Sequence, residues 1–254
     1  MTIDLIRQNE IFESKTPQEI LKWGWESFGP DIALLSSFGT ESVVLLHMVS
    51  QIAPGTAPPG CDRQPGQAVP RRQRGMKILF LETGYHFQET QDYKKLLVDK
   101  FKLNVIELTA AMSREEFVRT HGDDLYDKDP DKCCAINKVE PLQRGLKQFK
   151  AWVSGIRRGQ GPTRKNVHIL EFYEDGLYKL NPLANWTSKD AWQYIKANDL
   201  PTHPLFDKGY TSIGCWPCTR PVLPGEDDRA GRWAGRVKTE CGIHTFMKPK
   251  ENNP

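Results

Sequence analysis

The sequence predicts an α/β fold: a mostly parallel β-sheet with helices on both faces, followed by an irregular, cysteine-bearing C-terminal tail. Short apolar segments of strand length alternate with longer segments in which apolar residues recur at helical spacing. The apolar segments end in polar or cationic residues, as strands do when a ligand binds beyond their carboxyl ends. Beyond about residue 200 the chain is rich in Gly, Pro and charge and holds three of the six cysteines.

The first predicted elements lie before residue 76. Residues 11–29 predict a helix, residues 31–37 predict a buried strand that runs into a loop, and residues 40–52 predict the helix after it. Residues 53–75 contain five prolines, four glycines and four arginines together with Cys61. This composition predicts a mobile insertion without a packing role, and Cys61 has no nearby partner in the sequence.

Three further strands complete the predicted sheet. Residues 77–84 and 104–108 are strand-like, with a helix at 88–101 between them, and a fourth strand at 151–158 ends in two arginines. We expect residues 1–200 to form the nucleotide-binding α/β domain. Residues 201–254 then form a C-terminal catalytic tail, which is not an independent domain.

Composition excludes several classes of protein. The chain has 254 residues and a net charge of +3, and no apolar run approaches the ~20 residues of a membrane span. The N-terminal residues lack the order of a secretory signal, so the expected location is cytoplasmic and no membrane partner is expected. So small a charge does not call for nucleic acid; arginines directed at a small anion explain it as well.

The cysteines form two pairs and one isolated residue. Cys133-Cys134 and Cys215-Trp-Pro-Cys218 together offer four thiolates, which suit a soft metal ion or an iron–sulfur cluster, with zinc as the main alternative on spacing alone. Disulfides are disfavoured because the cysteines are sparse and adjacent cysteines bridge each other poorly. Cys241 lies among basic residues and close to a histidine, which suits a nucleophile.

The loop after the first strand is a candidate phosphate-binding site. Residues 37–42 read Ser-Phe-Gly-Thr-Glu-Ser, and a glycine and two serines at a helix N-terminus can bind a phosphate through N–H groups and hydroxyls. The loop resembles the Ser-Gly-Gly-x-Asp-Ser loop of the PP-loop group, with Phe38 and Glu41 as departures. It is not the longer loop that ends in Gly-Lys-Ser/Thr, so a nucleotide with few phosphates fits better.

The order of the motifs resembles one family, the assimilatory adenylyl-sulfate (APS) reductases, which are similar to the phosphoadenylyl-sulfate (PAPS) reductases. The resemblance covers about residues 10–245. Two positions depart from the family pattern. Glu82 replaces the usual Asp after the second strand, and Gly159 replaces the usual Asp before Gln160. The motifs that carry the resemblance are Ser36-Ser-Phe-Gly-Thr-Glu-Ser42, Glu82-Thr-Gly-Tyr85, Lys132-Cys-Cys134, Gly155-Ile-Arg-Arg158, Gly214-Cys-Trp-Pro-Cys-Thr-Arg-Pro221, Arg229-Ala-Gly-Arg-Trp233 and Glu240-Cys-Gly-Ile-His244.

The resemblance implies the fold, the reaction and the roles of particular residues. It implies a PP-loop, adenine nucleotide alpha hydrolase-like fold and the reduction of APS to sulfite and AMP in sulfate assimilation and cysteine biosynthesis. Cys241 would form the thiosulfonate intermediate, and thioredoxin or glutaredoxin would supply the electrons. The implied 4Fe–4S ligands are Cys133, Cys134, Cys215 and Cys218. The expected substrate-binding residues are Ser36, Ser37, Gly39, Glu41, Ser42, Thr83, Gly84, Lys138, Arg157, Arg158, Arg229, Arg232 and His244.

Three alternatives stay open at the level of sequence. The first is a PAPS reductase or a dual-specificity enzyme. The second is a PP-loop enzyme that thiolates tRNA, although the mild net charge and Phe38 disfavour it. The third is a zinc module, or a thioredoxin-like site at Cys215–Cys218, where the prolines favour a loop over the required strand-to-helix turn. The sequence does not decide the oligomeric state and leaves a homo-oligomer open.

Overall fold

The computed structural model describes residues 3–52, 75–173, 175–244, 246, 247 and 249. Apart from Gly75, the predicted 53–75 insertion, with Cys61, lies outside the described residues. Within them the helices are α1 Leu5–Phe12, α2 Pro17–Phe28, α3 Ser42–Gln51, α4 Gln88–Phe101, α5 Arg114–His121, α6 Leu125–Lys128, α7 Pro130–Cys134, α8 Glu140–Leu146 and α9 Ser188–Ala197. The strands are β1 Ile32–Leu35, β2 Lys77–Leu81, β3 Asn104–Leu108, β4 Ala151–Val153, β5 Leu170–Phe172 and β6 Tyr178–Leu180.

The strands form one six-stranded sheet in the order β3-β2-β1-β4-β6-β5. All neighbouring strands pair in parallel except β5 and β6, which pair antiparallel at one edge. The chain moves outward from β1 to β3 and then crosses to β4 on the other side of β1. In such sheets ligands bind at this reversal, beyond the carboxyl ends of the strands. The predicted mostly parallel α/β fold is confirmed.

Alternate residues of the strands build two hydrophobic layers. On β1, Ile32 and Leu34 belong to the larger core with helices α2, α3, α4 and α9, whereas Ala33 faces the smaller core of α8. On β2, Phe80 belongs to the larger core and Leu79 to the smaller one. Ile243, Phe246 and Met247 also pack on the smaller core. These three residues of the C-terminal tail therefore cover part of one sheet face.

The predicted helix at 11–29 begins too early, because residues 11 and 12 end α1 and the helix that fills the rest of the range, α2, starts at Pro17. Thr16 begins α2 with a capping box: its Oγ1 accepts from Glu19 N at 3.3 Å, and Glu19 Oε2 accepts from Thr16 N at 2.9 Å. Pro17 occupies the first turn, where its missing N–H costs nothing. Apart from Pro17, no aliphatic or aromatic residue lies between Phe12 and Ile20, so the break falls in a polar stretch of the predicted helix.

The edge hairpin of β5 and β6 has no counterpart in the sequence prediction. Each strand is three residues long, and both carry a charged residue in the middle, Glu171 and Lys179. These two side chains are buried against each other, with Lys179 Nζ 2.8 Å from Glu171 Oε2. The pattern therefore looks polar although both charged side chains are buried. No helix in the described part of the chain is long and apolar enough to cross a membrane.

Candidate active site

In the loop between β1 and α3, two serine hydroxyls accept hydrogen bonds from the loop's own backbone N–H groups. Ser36 N continues the sheet by donating to Leu79 O at 3.0 Å, and Ser36 Oγ accepts from Phe38 N at 3.2 Å. Ser42 Oγ accepts from Gly39 N at 3.1 Å, which places this hydroxyl at the start of α3. Both serines and Gly39 line the same cavity above the sheet.

Phe38 stands where the PP-loop pattern has glycine, and the structure shows how it is accommodated. Its φ is +50°, in the left-handed region that is costly for a side chain. The ring is fully buried in the larger core and makes an edge-to-face contact with Phe80 at a centroid distance of 5.5 Å. Burial of an aromatic ring stabilises by about 1.5–3 kcal/mol, which offsets a strain of about 1–2 kcal/mol.

The two arginines after β4 take different positions. Arg157 is buried and lines the cavity; its NH1 lies 2.5 Å from Glu41 Oε2, and its NH2 donates to Ser188 Oγ at 3.0 Å. Arg158 does not line the cavity, because its guanidinium binds the Glu13 carboxylate at 2.7 Å and the Val167 carbonyl at 2.9 Å. The structure thus brings Arg157 and Glu41 into the site and leaves Arg158 outside.

Thr83, just after β2, lines the cavity and contacts the second cysteine pair. Its Oγ1 lies 3.4 Å from Cys215 Sγ and accepts from Tyr85 N at 3.2 Å. Gly84 does not line the cavity. Glu82, which replaces the family's aspartate, turns away: its Oε1 accepts from Gly84 N at 2.8 Å and its Oε2 from Gln91 at 2.6 Å. Its longer side chain is therefore used in shaping the turn.

Cys133, Cys134 and Lys138 lie on one interrupted helix. A π-helical segment, Ala135–Val139, joins α7 to α8, and such insertions are frequent at functional sites. Asn137 within it donates to Cys133 O at 3.0 Å and to Cys133 Sγ at 3.6 Å. Lys138 from the same segment lines both the large cavity and the pocket of the cysteine pairs.

The two cysteine pairs meet at one small pocket next to the large cavity. Cys133, Cys134 and Cys215 are buried and Cys218 is half-buried, and all four line this pocket. Burial raises the pKa of Cys133 to about 11, and the neighbouring thiols of Cys134, Cys215 and Cys218 add to the effect. Among the described residues, no group of three or more His, Cys, Asp or Glu side chains converges on a single ion position.

Burial and the nearby cysteines act on the pKa of Lys138 in opposite directions. Burial acts to lower its pKa, but the negative charge available at Cys215, Cys241 and Cys134 outweighs it, so the pKa of Lys138 is raised above the ordinary lysine value. Lys138 is therefore a fixed cation between the cysteine pocket and the cavity.

Arg229 and Arg232 bring two more cations to the cavity wall. Burial, together with the nearby charges of Arg164 and Arg232, lowers the pKa of Arg229 to about 10 despite the opposing Glu240. The Arg232 guanidinium lies over the Trp233 ring at 4.5 Å and donates to Ile213 O at 3.3 Å. Its buried Nε has no hydrogen-bond partner within the described part of the chain. An unpaired guanidinium N–H at a cavity wall is suited to an anionic ligand.

The C-terminal tail contributes Glu240, Cys241 and His244 to the same cavity. Cys241 is half-buried and is a free thiol. The His244 ring stacks on Trp152 at an interplanar angle of 4°. Burial lowers the pKa of His244 well below the ordinary histidine value, and the charges of Lys179, Arg164 and Arg229 add to this effect. His244 is thus a neutral imidazole at neutral pH, and its buried Nδ1 lacks a partner among the described residues.

The cavity has a volume of about 240 Å³ and gathers most of the residues singled out in the sequence. It is lined by Ser36, Ser37, Gly39, Glu41, Ser42, Thr83, Lys138, Arg157, Cys215, Arg229, Arg232, Cys241 and His244. Sequence reasoning missed Arg164, Gln160 and Glu240, which also line it. Gln160 Oε1 accepts from Arg157 N at 3.1 Å and from Arg164 NH1 at 2.6 Å. Glu240 could have been found from the Glu-Cys-Gly-Ile-His motif that it begins. No motif in the sequence around Arg164 marks that residue.

The sheet and its cavity define an α/β protein that can bind an anion beside a free cysteine. The profile of the phosphoadenosine phosphosulfate reductase domain matches residues 31–221. A phosphoadenosine 5'-phosphosulfate reductase from Gloeobacter violaceus is 42% identical over 92% of this chain and 90% of its own length. Adenosine 5'-phosphosulfate reductases from Streptomyces coelicolor and Bacillus thuringiensis are 40% and 39% identical over 94% and 91% of this chain and 92% of each relative.

Solved structures agree with these sequence matches. A PAPS reductase from Candida auris, in complex with phosphate, has a TM-score of 0.67 and 28% identity, and the match covers 85% of this chain and 98% of that one. An FMN adenylyltransferase from Candida glabrata, with a TM-score of 0.54 and 16% identity, shares the fold alone. The chain belongs to the phosphoadenosine phosphosulfate reductase family, as its sequence motifs predict.

Proposed function

We propose that this protein reduces adenylyl sulfate to sulfite and AMP with electrons from a dithiol protein such as thioredoxin or glutaredoxin. This reaction would serve sulfate assimilation and cysteine biosynthesis. The observation that carries the proposal is the position of Cys241, which lines the same cavity as the serine loop after β1 and the cations Lys138, Arg229 and Arg232. The adenosine 5'-phosphosulfate reductases among its relatives support the substrate.

The cations reduce the electrostatic repulsion that is the main difficulty of the reaction. A thiolate must approach a sulfo group that is itself negative, and fixed positive charge in a partly dehydrated site offsets this repulsion. We assign the phosphate to the β1–α3 loop and the sulfo group to the side of the cavity where Lys138, Arg229 and Arg232 face Cys241.

In the first step Cys241 Sγ attacks the sulfur of the sulfo group. A sulfur–sulfur bond forms, the bond from sulfur to the bridging oxygen breaks, and AMP leaves with the electron pair. The product is a thiosulfonate, Cys241–S–SO₃⁻. AMP is a good leaving group because its phosphate is a weak base.

In the second step an external dithiol regenerates Cys241. One thiolate attacks Cys241 Sγ and displaces sulfite, which leaves with the sulfur–sulfur electron pair. The second thiol then breaks the mixed disulfide and releases Cys241 as a thiolate. The sulfur of the sulfo group gains two electrons, and the partner dithiol becomes a disulfide. Cys241 is only half-buried, which supports access by a protein partner.

We further propose that Cys133, Cys134, Cys215 and Cys218 hold a 4Fe–4S cluster. These four soft thiols line one pocket, and Asn137 already donates to Cys133 Sγ at 3.6 Å. A 4Fe–4S cluster would be held by one thiolate from each of the four cysteines, which therefore need to line one pocket but need not converge on a single ion position. When bound, the cluster would supply a fixed electron-rich centre that holds Lys138 in place. It would not be needed as an electron carrier, because the thiol chemistry already supplies both electrons.

The nucleophile is tested by mass spectrometry after the protein is mixed with APS in the absence of reductant. We expect a sulfo adduct on Cys241, none in Cys241→Ser, and a normal adduct in Cys61→Ser. Cys241→Ser should keep its iron, because it lies outside the ligand set. An adduct on a different cysteine would refute the assignment.

The cluster and the substrate preference have separate tests. Cys133→Ser should lose iron and activity together, measured on anaerobically purified protein. Full iron in that variant, or zinc in its place in the wild type, would contradict the cluster proposal. A comparison of kcat/KM for APS and PAPS at saturating thioredoxin should favour APS. A clear preference for PAPS would overturn that choice.

A further inference from the structure

The residue before the proposed nucleophile is bound by an arginine that the sequence did not indicate. Arg164 Nε donates to Glu240 Oε1 at 2.8 Å, and Arg164 NH2 donates to Glu240 Oε2 at 2.8 Å. This parallel geometry is the strongest arrangement available to an arginine and a carboxylate. The side chains are 10% and 14% exposed, so water screens the pair weakly. Thr163 Oγ1 adds a further hydrogen bond to Oε1 at 3.2 Å.

A second arginine lies against the same carboxylate. Arg229 NH2 is 3.5 Å from Glu240 Oε2. Arg164, Arg229 and Glu240 all line the cavity. Glu240 therefore neutralises part of the positive charge that is otherwise directed at the substrate. The cavity keeps this carboxylate although the proposed ligand is an anion, which means that Glu240 lowers electrostatic affinity for that ligand.

The tail is attached to the rest of the protein on both sides of Cys241, and Glu240 is the attachment nearest to the thiol on the upstream side. Downstream, the His244 ring stacks on Trp152, and Ile243 packs on the smaller core. Upstream, the bidentate pair with Arg164 holds the backbone one residue before the thiol. Because Arg164 belongs to the segment after β4, the pair connects the tail to the sheet.

We infer that Glu240 is a positioning residue for Cys241, an inference that rests on the proposed function. Its carboxylate binds Arg164 and thereby directs the thiol into the cavity, at the cost of weaker attraction for the substrate anion. Neutralising Glu240 then has two opposite effects: the backbone beside Cys241 loses its bidentate attachment to Arg164, while Arg164 and Arg229 become free to attract an anion. The loss of a residue with a purely structural role would not slow the reaction of Cys241 while leaving the affinity for the substrate anion unchanged or increased.

The test compares Glu240→Gln with a matched control, Glu226→Gln. Glu226 lies on the same C-terminal segment, where Arg220 holds both its oxygens at 2.8 Å, but it does not line the cavity. The rate of sulfo-adduct formation on Cys241 is measured in a single turnover with APS and no reductant. The Kd for APS is measured in a Cys241→Ser background, so that no reaction occurs.

We expect adduct formation in Glu240→Gln to slow by about 10- to 100-fold, as a misplaced reacting atom does. The Kd for APS should stay the same or fall, and Glu226→Gln should match the wild type in both measurements. An unchanged rate in Glu240→Gln would overturn the inference, and so would a slower rate with a proportionally weaker Kd. Absence of any adduct on wild-type Cys241 would instead refute the proposed function.

A double-mutant cycle with Arg164→Lys provides an independent check. Lysine keeps the charge but cannot bind both oxygens of the carboxylate. If Glu240 acts through Arg164, Glu240→Gln should slow adduct formation much less in the Arg164→Lys background than in the wild type. Equal slowing in both backgrounds would show that Glu240 does not act through Arg164.

Discussion

The buried ion pair of the edge hairpin allows a strict test of the fold. Lys179 and Glu171 are 2% and 8% exposed, and their charged atoms are 2.8 Å apart. Glu171 Oε2 also accepts from Tyr173 OH at 3.1 Å and from Asn181 Nδ2 at 3.2 Å. The Lys179 ammonium lies 5.4 Å from the centre of the Trp152 ring, on which His244 stacks. Lys179→Met keeps most of the apolar part of the side chain and removes its charge.

We expect Lys179→Met to lower the free energy of unfolding by about 3 kcal/mol. Leaving one charge of a buried pair uncompensated costs about 3–5 kcal/mol, and the two donors that remain on Glu171 place this case at the lower end. Lys179→Met/Glu171→Gln should recover most of the loss. The glutamine has no charge, and its carbonyl can still accept from Tyr173 and Asn181.

Urea unfolding followed by tryptophan fluorescence measures both variants. Lys150→Met is the matched control, because Lys150 Nζ lies at the same distance of 2.8 Å from Asp31 Oδ2, but the side chains are 73% and 39% exposed. Such a surface pair contributes about 0–1 kcal/mol. The reasoning fails if Lys179→Met is no less stable than the control, or if the double variant is as unstable as the single one.

Three further predictions address the site and its support. Burial lowers the pKa of His203 to about 4, and its Nε2 lies 3.0 Å from Thr90 Oγ1. The unfolded chain therefore binds the proton more readily, so stability should fall as pH drops from about 6.5 towards 4, by roughly 2 kcal/mol between pH 7 and 5. Urea unfolding at both pH values should show a smaller difference for His203→Gln, and an equal difference would contradict the assignment. Arg229→Ala should lower kcat/KM for APS by about 10- to 150-fold, the loss of one charge-assisted contact of about 1.5–3 kcal/mol, and unchanged kinetics would place Arg229 outside the substrate contacts. Gly145→Ala should destabilise by about 1–3 kcal/mol in thermal unfolding, because the added Cβ would lie 2.7 Å from Leu108 side-chain atoms. A wild-type melting temperature would show that α8 and β3 can separate freely.

Local pattern determined the main part of the sheet. The strand at 104–108 and the helix at 88–101 have the predicted bounds, because their apolar residues recur with one clear period and polar residues follow them. The break before α2 depends on a capping box that periodicity does not register. The β5–β6 hairpin was not predicted because a buried ion pair makes its strands look polar. Segments this short form only when the rest of the sheet is present to pair with them.

The candidate site, too, was predictable from the sequence in part, while the rest depended on the tertiary structure. The order of cysteines, serines and arginines along the chain was sufficient to predict the family, because these motifs are set by chemistry that needs particular residue types. Only the tertiary structure decided that Arg157 enters the cavity while Arg158 binds Glu13 outside it. It alone paired Arg164 with Glu240 across 76 residues of chain. Neighbours in sequence share a composition, but the direction of a side chain and its distant partner follow from how the strands and the tail pack.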